Sequence, residues 1–282
     1  WKLGVLNDPF NYAKYTTQSN GKVLYETTLD EAQIPKQSFA ANKVITVIDN
    51  RQANLQKIVT DLMSKFSPES SYVHLGYEAV TLSSETAKLL GNKTDGREVQ
   101  MSGRKGLYIN ADEIIEKLEK RIYLESKERN TSLDDASLNE IAHNVANGTI
   151  RYELIKPDLD KIITFDINTS LKLEGDTCSY IQYSCVRAAR ILEKSDKKPD
   201  FNASFDQLNT EHDLNLIKQI GMFEIFVNDA AKNYSPKVIA KYCYGLAVTF
   251  SSFYEHVKVL KAETPELVNA RLCLVLSFGL TL

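Results

Sequence analysis

The stretch from Val44 to Leu82 limits the fold more than any other part of the chain. Val44-Ile-Thr-Val-Ile-Asp49 is a short, nearly continuous run of β-branched apolar residues, the pattern of a strand buried on both faces in a parallel sheet. Leu55, Ile58, Val59, Leu62, Met63 and Phe66 then recur at helical spacing as one apolar stripe, and the turn signal Ser67-Pro68 closes the segment. Tyr72 to Leu75 and Ala79 to Leu82 read as further strand pieces. Strand, helix, strand in this order predicts a right-handed crossover in a parallel sheet, with ligands beyond the carboxyl ends of the strands. Asp49, Asn50 and Gln52 lie at such an end.

From Asn110 the pattern turns helical. Ile114, Ile115, Leu118 and Ile122 share one face of a charged helix that runs to about Lys127, and the polar stretch Glu128 to Asp135 reads as a loop. Cys178 to Lys194 carries apolar positions at Ile181, Cys185, Ala188 and Leu192, and a polar linker from Ser195 to Ser204 follows. Two late helices share a start signal, Ser235-Pro236 and Thr264-Pro265, a hydroxyl N-cap followed by proline at the first helical position. The expected fold class is therefore α/β followed by all-α.

Composition excludes several classes. With 34 Lys plus Arg against 37 Asp plus Glu, the net charge of -3 argues against coating nucleic acid, DNA included, or an anionic membrane through bulk charge, while leaving room for a locally basic surface. No stretch approaches the ~20 apolar residues of a membrane span. Cys178, Cys185, Cys243 and Cys273 make no C-x-x-C pair, and His74, His143, His212 and His256 show no metal-ligand spacing, so no protein-bound metal is expected and the thiols read as structural. The N-x-S/T sequons read as chance in an Asn-rich chain. The start, Trp1-Lys-Leu-Gly, lacks an initiator Met and a signal peptide's apolar run, which suggests a cytoplasmic protein met as a fragment.

The most informative stretch for chemistry is Gln100-Met101-Ser102-Gly103-Arg104-Lys105-Gly106. Backbone amides freed by glycine, a hydroxyl and adjacent cations suit a polyphosphate. The loop resembles the K-M-S-K-S phosphate loop of class I aminoacyl-tRNA synthetases, in the M-S-x-R-K-G form of arginyl-tRNA synthetases. Other segments agree in order. Tyr25-Glu-Thr-Thr-Leu-Asp30-Glu-Ala32 resembles that family's Y-x-T-R-D-x-A stretch, Val47-Ile-Asp-Asn-Arg-Gln52 its glutamine-bearing strand end, and His74-Leu-Gly-Tyr-Glu-Ala-Val80 the segment before the loop. Gly148-Thr-Ile-Arg-Tyr152, Phe165-Asp166, Glu174-Gly175 and Tyr180-Ile-Gln-Tyr183 with Arg187 are similar to the family's G-A-I-R-Y, F-D, E-G and Y-I-Q-Y-A-x-x-R strings. Pro236 to Tyr254 and Arg271 to Leu282 resemble its DALR anticodon-binding helices.

The resemblance implies an arginine–tRNA ligase, which joins arginine and ATP as arginyl-adenylate and passes the acyl group to its tRNA. It implies ATP, with Mg2+ accompanying it, as cofactor. Ser102, Arg104 and Lys105 would be catalytic, and Met101, Ser102, Gly103, Arg104, Lys105 and Gly106 would hold ATP. Asp30, Gln52 and Tyr25 would receive arginine's guanidinium, a planar fork of donors that needs acceptors. Tyr180, Tyr183, Arg187 and Tyr254 would contact tRNA, because aromatics beside a cation stack on unpaired bases. His74 reads equally as an ATP contact or a structural histidine. The implied division is the C-terminal half of a Rossmann-like catalytic domain over 1–125, a connecting helical region over 126–174 and a DALR-type bundle over 175–282.

The chain departs from the family pattern at several points. The H-I-G-H element and the tRNA-elbow domain do not occur in it, Gln100 and Gly103 stand where lysines are common, and Tyr25 and Asp30 are five apart instead of four. The expectation is a ligase fragment, inactive alone. The alternative is a non-catalytic tRNA-binding module derived from a synthetase.

Overall fold

The computed structural model describes residues 10–34, 41–91 and 110–282, together with the backbone of 99–100. They fall into two compact units, 1–78 and 79–282.

In the first unit, strands β1 (Asn11–Thr17) and β2 (Val23–Thr28) form an antiparallel hairpin. Its turn needs the left-handed backbone of Gly21, at φ +81°, which a side chain would strain. Strand β3 (Lys43–Asp49), helix α1 (Ala53–Phe66) and strand β4 (Ser71–Tyr77) make the expected crossover unit, with β3 and β4 parallel from Lys43↔Ser71 to Asp49↔Tyr77. Helix α1 ends where Ser67-Pro68 predicts, its last turn capped by Ser67 N–H on the Met63 carbonyl. Inside the α1–β4 contact, Tyr72 Oη donates to the buried Gln56 Oε1 at 2.6 Å.

Strand β3 departs from the sequence expectation. It is not buried on both faces: Ile45 is 45% and Val47 61% exposed. The parallel partners Val44 and Tyr72, Thr46 and His74, share the opposite face by strand alternation, and α1 covers that side through Gln56 and Tyr72. The run is continuous in apolar character, yet among the described residues no layer covers Ile45 and Val47. Nor does the α1 stripe turn inward, since Leu55, Ile58, Leu62 and Phe66 are exposed.

The second unit opens with a three-stranded sheet, order β6-β5-β7, formed by β5 (Val80–Leu82), β6 (Val99–Gln100) and β7 (Ile163–Phe165). Strand β5 is antiparallel to β6 and parallel to β7, so the strand piece read at 79–82 belongs to a different sheet from β4. Helices α2 (Ser84–Leu89), α3 (Ala111–Arg129), α4 (Asp135–Ile155) and α5 (Ile167–Ser170) surround it. Leu82, Leu118, Ile122, Ala142, Ala146 and Phe165 form their common core. Asp166 joins strand to helix by accepting Thr169 N–H and Ser83 Oγ–H. Burial pushes its pKa up, but these hydrogen bonds outweigh that and hold the carboxyl below the usual range.

Helices α6 (Cys178–Glu193), α7 (Glu211–Gly221), α8 (Phe223–Asn233), α9 (Pro236–His256) and α10 (Pro265–Thr281) make the bundle. Its core joins Leu216, Tyr242, Leu246, Phe250, Phe253, Leu272, Val275 and Phe278, with the Phe250 and Phe278 rings stacked at 3.9 Å. Arg271 and Asp213 form an ion pair at 3.3 Å with side chains only 9% and 0% exposed. Asp213 also closes the capping box of α7 with Thr210, so one carboxylate ties α7 to α10. Among the described residues, no helix is long and apolar enough to cross a membrane.

Candidate functional site

Helix α6 presents two faces. Ser184 and Ala188 turn into the protein, while Tyr183 and Tyr254 of α9 remain 40% and 42% exposed. Arg187, one turn after Tyr183, lies between them: its guanidinium carbon is 4.3 Å from the Tyr183 ring centroid and 4.8 Å from that of Tyr254. Arg187 Nη2 also donates to Tyr183 Oη at 3.2 Å. A cation held over two aromatic faces is a preformed stacking platform, because the guanidinium plane and both rings offer π-faces to an unpaired base.

Tyr180, three residues before Tyr183, has a different role. Its hydroxyl donates to Ser251 Oγ at 3.0 Å, and its ring packs against Tyr244 at 5.7 Å. It is half-buried and joins α6 to α9, which sets the spacing across which Arg187 reaches Tyr254. Beside this platform an open groove of ≈ 470 Å³ is lined by Arg129, Lys172, Leu173, Gln182, Tyr183 and Val186. The sequence gives no signal for it, since its lining comes from three helices and a loop.

Gly148 and Tyr152 of the Gly-Thr-Ile-Arg-Tyr string act as its frame. A Cβ at Gly148 of α4 would stand 2.9 Å from Gln182 Nε2 and 3.1 Å from Cys178 Sγ, so glycine lets α6 approach α4. The Tyr152 hydroxyl is shared between Asp176 Oδ1 at 2.5 Å and the Ala240 carbonyl at 3.3 Å. Burial, then Asp176, pushes its ionisation far above the usual tyrosine range. Burial likewise pushes the Cys178 thiol up to about 11, and all four cysteines are free.

In the first unit, the carboxyl end of β3 is held by its own side chains. Asp49 accepts Arg51 N–H at 2.8 Å, Nε at 2.9 Å and Nη2 at 2.7 Å. These hydrogen bonds hold its carboxyl down to about 2. Asn50 Nδ2 donates to Glu78 Oε1 at 3.0 Å, and the Asn50 side chain lies where a Cβ on Gly76 would collide with it. Gln52 is exposed at the N-terminus of α1 and makes no capping bond there. His74 Nε2 meets the Ile48 carbonyl at 3.0 Å, which requires Nε2 to be the donor and makes this histidine a tie across the β3–β4 pair.

Tyr25 lies on β2, paired with Lys14 and half exposed. Asp30 follows the strand, its backbone N–H on Thr28 Oγ1 at 3.0 Å and its carbonyl accepting Asn11 Nδ2 at 2.7 Å. Among the described residues no hydrogen bond joins Tyr25 or Asp30 to Gln52, which stands in the turn between β3 and α1. The phosphate-loop residues Met101, Ser102, Gly103, Arg104, Lys105 and Gly106 lie outside the described residues; strand β6 leads into them.

Residues 181–282 match the DALR anticodon binding domain family. The chain is 34% identical over 264 residues to an arginine–tRNA ligase of Borrelia hermsii, across 92% of this chain and 42% of the relative. It is 37% identical over 175 residues to that of Methanothrix thermoacetophila, across 62% of this chain and 31% of the relative. The arginyl-tRNA synthetase of Thermus thermophilus superposes on all of it, with a TM-score of 0.79 and 28% identity, across 45% of that structure. Along its length the chain is similar to arginyl-tRNA synthetases. It matches the C-terminal region of arginyl-tRNA synthetases and spans less than half the length of these relatives. Within the DALR-type bundle, the residues singled out by the Y-I-Q-Y string divide between a structural tie, Tyr180, and an exposed platform, Tyr183 and Arg187. Tyr254 is brought to that platform from 67 residues away in sequence (254 − 187).

Proposed function

We propose that this chain carries the C-terminal part of an arginine–tRNA ligase, with the anticodon loop of arginine's tRNA bound at Tyr183, Arg187 and Tyr254. The observation that carries this reading is the cation seated between two exposed aromatic rings in a DALR-type bundle. One unstacked base would lie on the platform and a neighbouring base in the groove beside Tyr183. Tyr180 would hold the two helices in register. Functionally the chain divides into a catalytic half over 1–125, a connector over 126–174 and an anticodon-binding bundle over 175–282, a division by role that crosses the two compact units.

In this reading ATP reacts with arginine, the carboxylate oxygen attacking the α-phosphate as pyrophosphate leaves, and a terminal ribose hydroxyl of the tRNA then takes the acyl group with release of AMP. Ser102, Arg104 and Lys105 would neutralise charge developing on the pyrophosphate, with Gly103 and Gly106 letting backbone amides approach it and Met101 seating the loop. Mg2+ would arrive on the ATP phosphates, which is the usual way this ion binds nucleotides; among the described residues no group of three or more His, Cys, Asp or Glu converges. Asp30, Tyr25 and Gln52 would accept the substrate guanidinium. Four free thiols, two of them buried, fit a reducing, cytoplasmic setting.

The test is arginine- and tRNA-dependent ATP/pyrophosphate exchange in the complete natural polypeptide that carries this chain, beside its Arg104→Ala/Lys105→Ala variant. Exchange that needs arginine and its tRNA and falls at least 100-fold in the variant, on the order of a lost charge-stabilising contact, is the expected result. A folded, tRNA-binding protein without exchange would instead leave the non-catalytic module.

A further inference from the structure

The bundle carries a cationic patch that the platform does not use. Lys237 and Lys241 stand one turn apart near the start of α9, and Lys161 lies on the loop between α4 and β7. They gather around Asp158: Lys241 is one turn on from its partner Lys237, and the Lys161 backbone N–H donates to the Asp158 carbonyl at 3.0 Å. Lys237 Nζ is 2.6 Å from Asp158 Oδ2, and that hydrogen bond first, then the nearby charges of Lys161 and Lys241, hold the Asp158 carboxyl below its usual range. Two carboxylates of the loop, Asp158 and Asp160, therefore stand against three ammonium groups, of which Lys161 and Lys241 are exposed. The loop is anchored, because Tyr152 near the end of α4 bonds the Ala240 carbonyl of α9.

The patch and the platform share α9. Lys237, Lys241 and Tyr244 recur at i, i+4 and i+7 and so share a face of the helix. Tyr244 packs on Tyr180, which bonds Ser251 one turn before Tyr254. At ~1.5 Å rise per residue, Lys241 and Tyr254 lie about 20 Å apart along the axis, the length of about six phosphates on one strand of a duplex. Lysine is a point charge on a flexible stem, suited to phosphate contact without base readout.

We propose that Lys161, Lys237 and Lys241 form a phosphate track for the stem strand of the RNA whose loop sits at Tyr183, Arg187 and Tyr254. The inference rests on the tRNA-binding reading above. In free protein Asp158 gathers the lysines; in the complex a backbone phosphate replaces it.

The experiment measures tRNA binding to the 282-residue chain across a salt series for the wild type, the triple variant Lys161→Ala/Lys237→Ala/Lys241→Ala, and Asp158→Asn. The triple variant is expected to lower the slope of log K against log salt by about 2, at ~0.7–0.9 for each phosphate contact, and to weaken binding about tenfold. The loss should be equal for tRNAs of any anticodon. Asp158→Asn is expected to tighten binding a few-fold, a direction that no folding defect imitates. A wild-type slope in a folded triple variant overturns the track; if that variant fails to fold, unchanged or weaker binding by Asp158→Asn does so. A wild type that binds no tRNA overturns the tRNA reading and the track together.

Discussion

Arg187 and Asp49 show how differently a charge behaves according to what holds it. Arg187 is held by two rings, so its charge remains available to a ligand, whereas Asp49 is fully engaged by Arg51. Because hydrogen bonds from Arg51 lower the Asp49 value from 3.8 to about 2, the pair's contribution is complete above pH 3.8 and is lost as the pH falls through about 2. The pair is open to solvent, so little global stability rides on it. An NMR titration should place the Asp49 midpoint near 2 in the wild type and move it toward 3.8 in Arg51→Ala; an unmoved midpoint would show that another group holds the carboxylate. Asp49 was readable as a residue at a strand end, but not as one already satisfied, because its partner is set by the turn that Asn50–Gln52 makes.

At the scale of the elements, the two Pro-started helices separate what a motif says from what its atoms do. Both begin where Ser235-Pro236 and Thr264-Pro265 predict, yet Thr264 Oγ1 accepts Leu267 N–H at 3.1 Å while the Ser235 side chain makes no capping bond. Thr264→Ala should therefore cost about 1 kcal/mol in urea unfolding and Ser235→Ala a few tenths at most; equal losses would contradict the assignment. Arg271→Met would leave the buried Asp213 carboxylate without its counter-charge. The expected cost is about 3–5 kcal/mol, and a loss under ~1 kcal/mol would show that Thr210 alone satisfies the carboxylate. The helices were legible because period and caps are local properties. The hairpin β1–β2 is local, but its strands carry no continuous apolar run to mark them; the short strands β6 and β7 were not legible, since each is defined by pairing with β5 across intervening chain. The run at β3 was misread for the same reason: apolar character is local, but burial depends on which layers are present.

At the scale of the molecule, the two units differ in how completely they cover their apolar surface. Unit 79–282 buries continuous cores, whereas unit 1–78 leaves Ile45, Val47, Leu55, Ile58, Leu62 and Phe66 in solvent. Function follows the same division. The bundle presents an assembled platform, while the proposed guanidinium acceptors stand on β2 (Tyr25), just after it (Asp30) and in the turn after β3 (Gln52), without a mutual hydrogen bond. On the proposed function, RNA binding is thus the property to look for in this chain by itself. The most direct test of the account is equilibrium binding of arginine's tRNA to the 282-residue chain, beside Arg187→Ala and a tRNA for another amino acid. The account predicts preference for arginine's tRNA and a loss of about 1–3 kcal/mol in Arg187→Ala, the value of one stacking contact, with the circular dichroism spectrum unchanged. Equal affinity for both tRNAs, or wild-type affinity in Arg187→Ala, would contradict it.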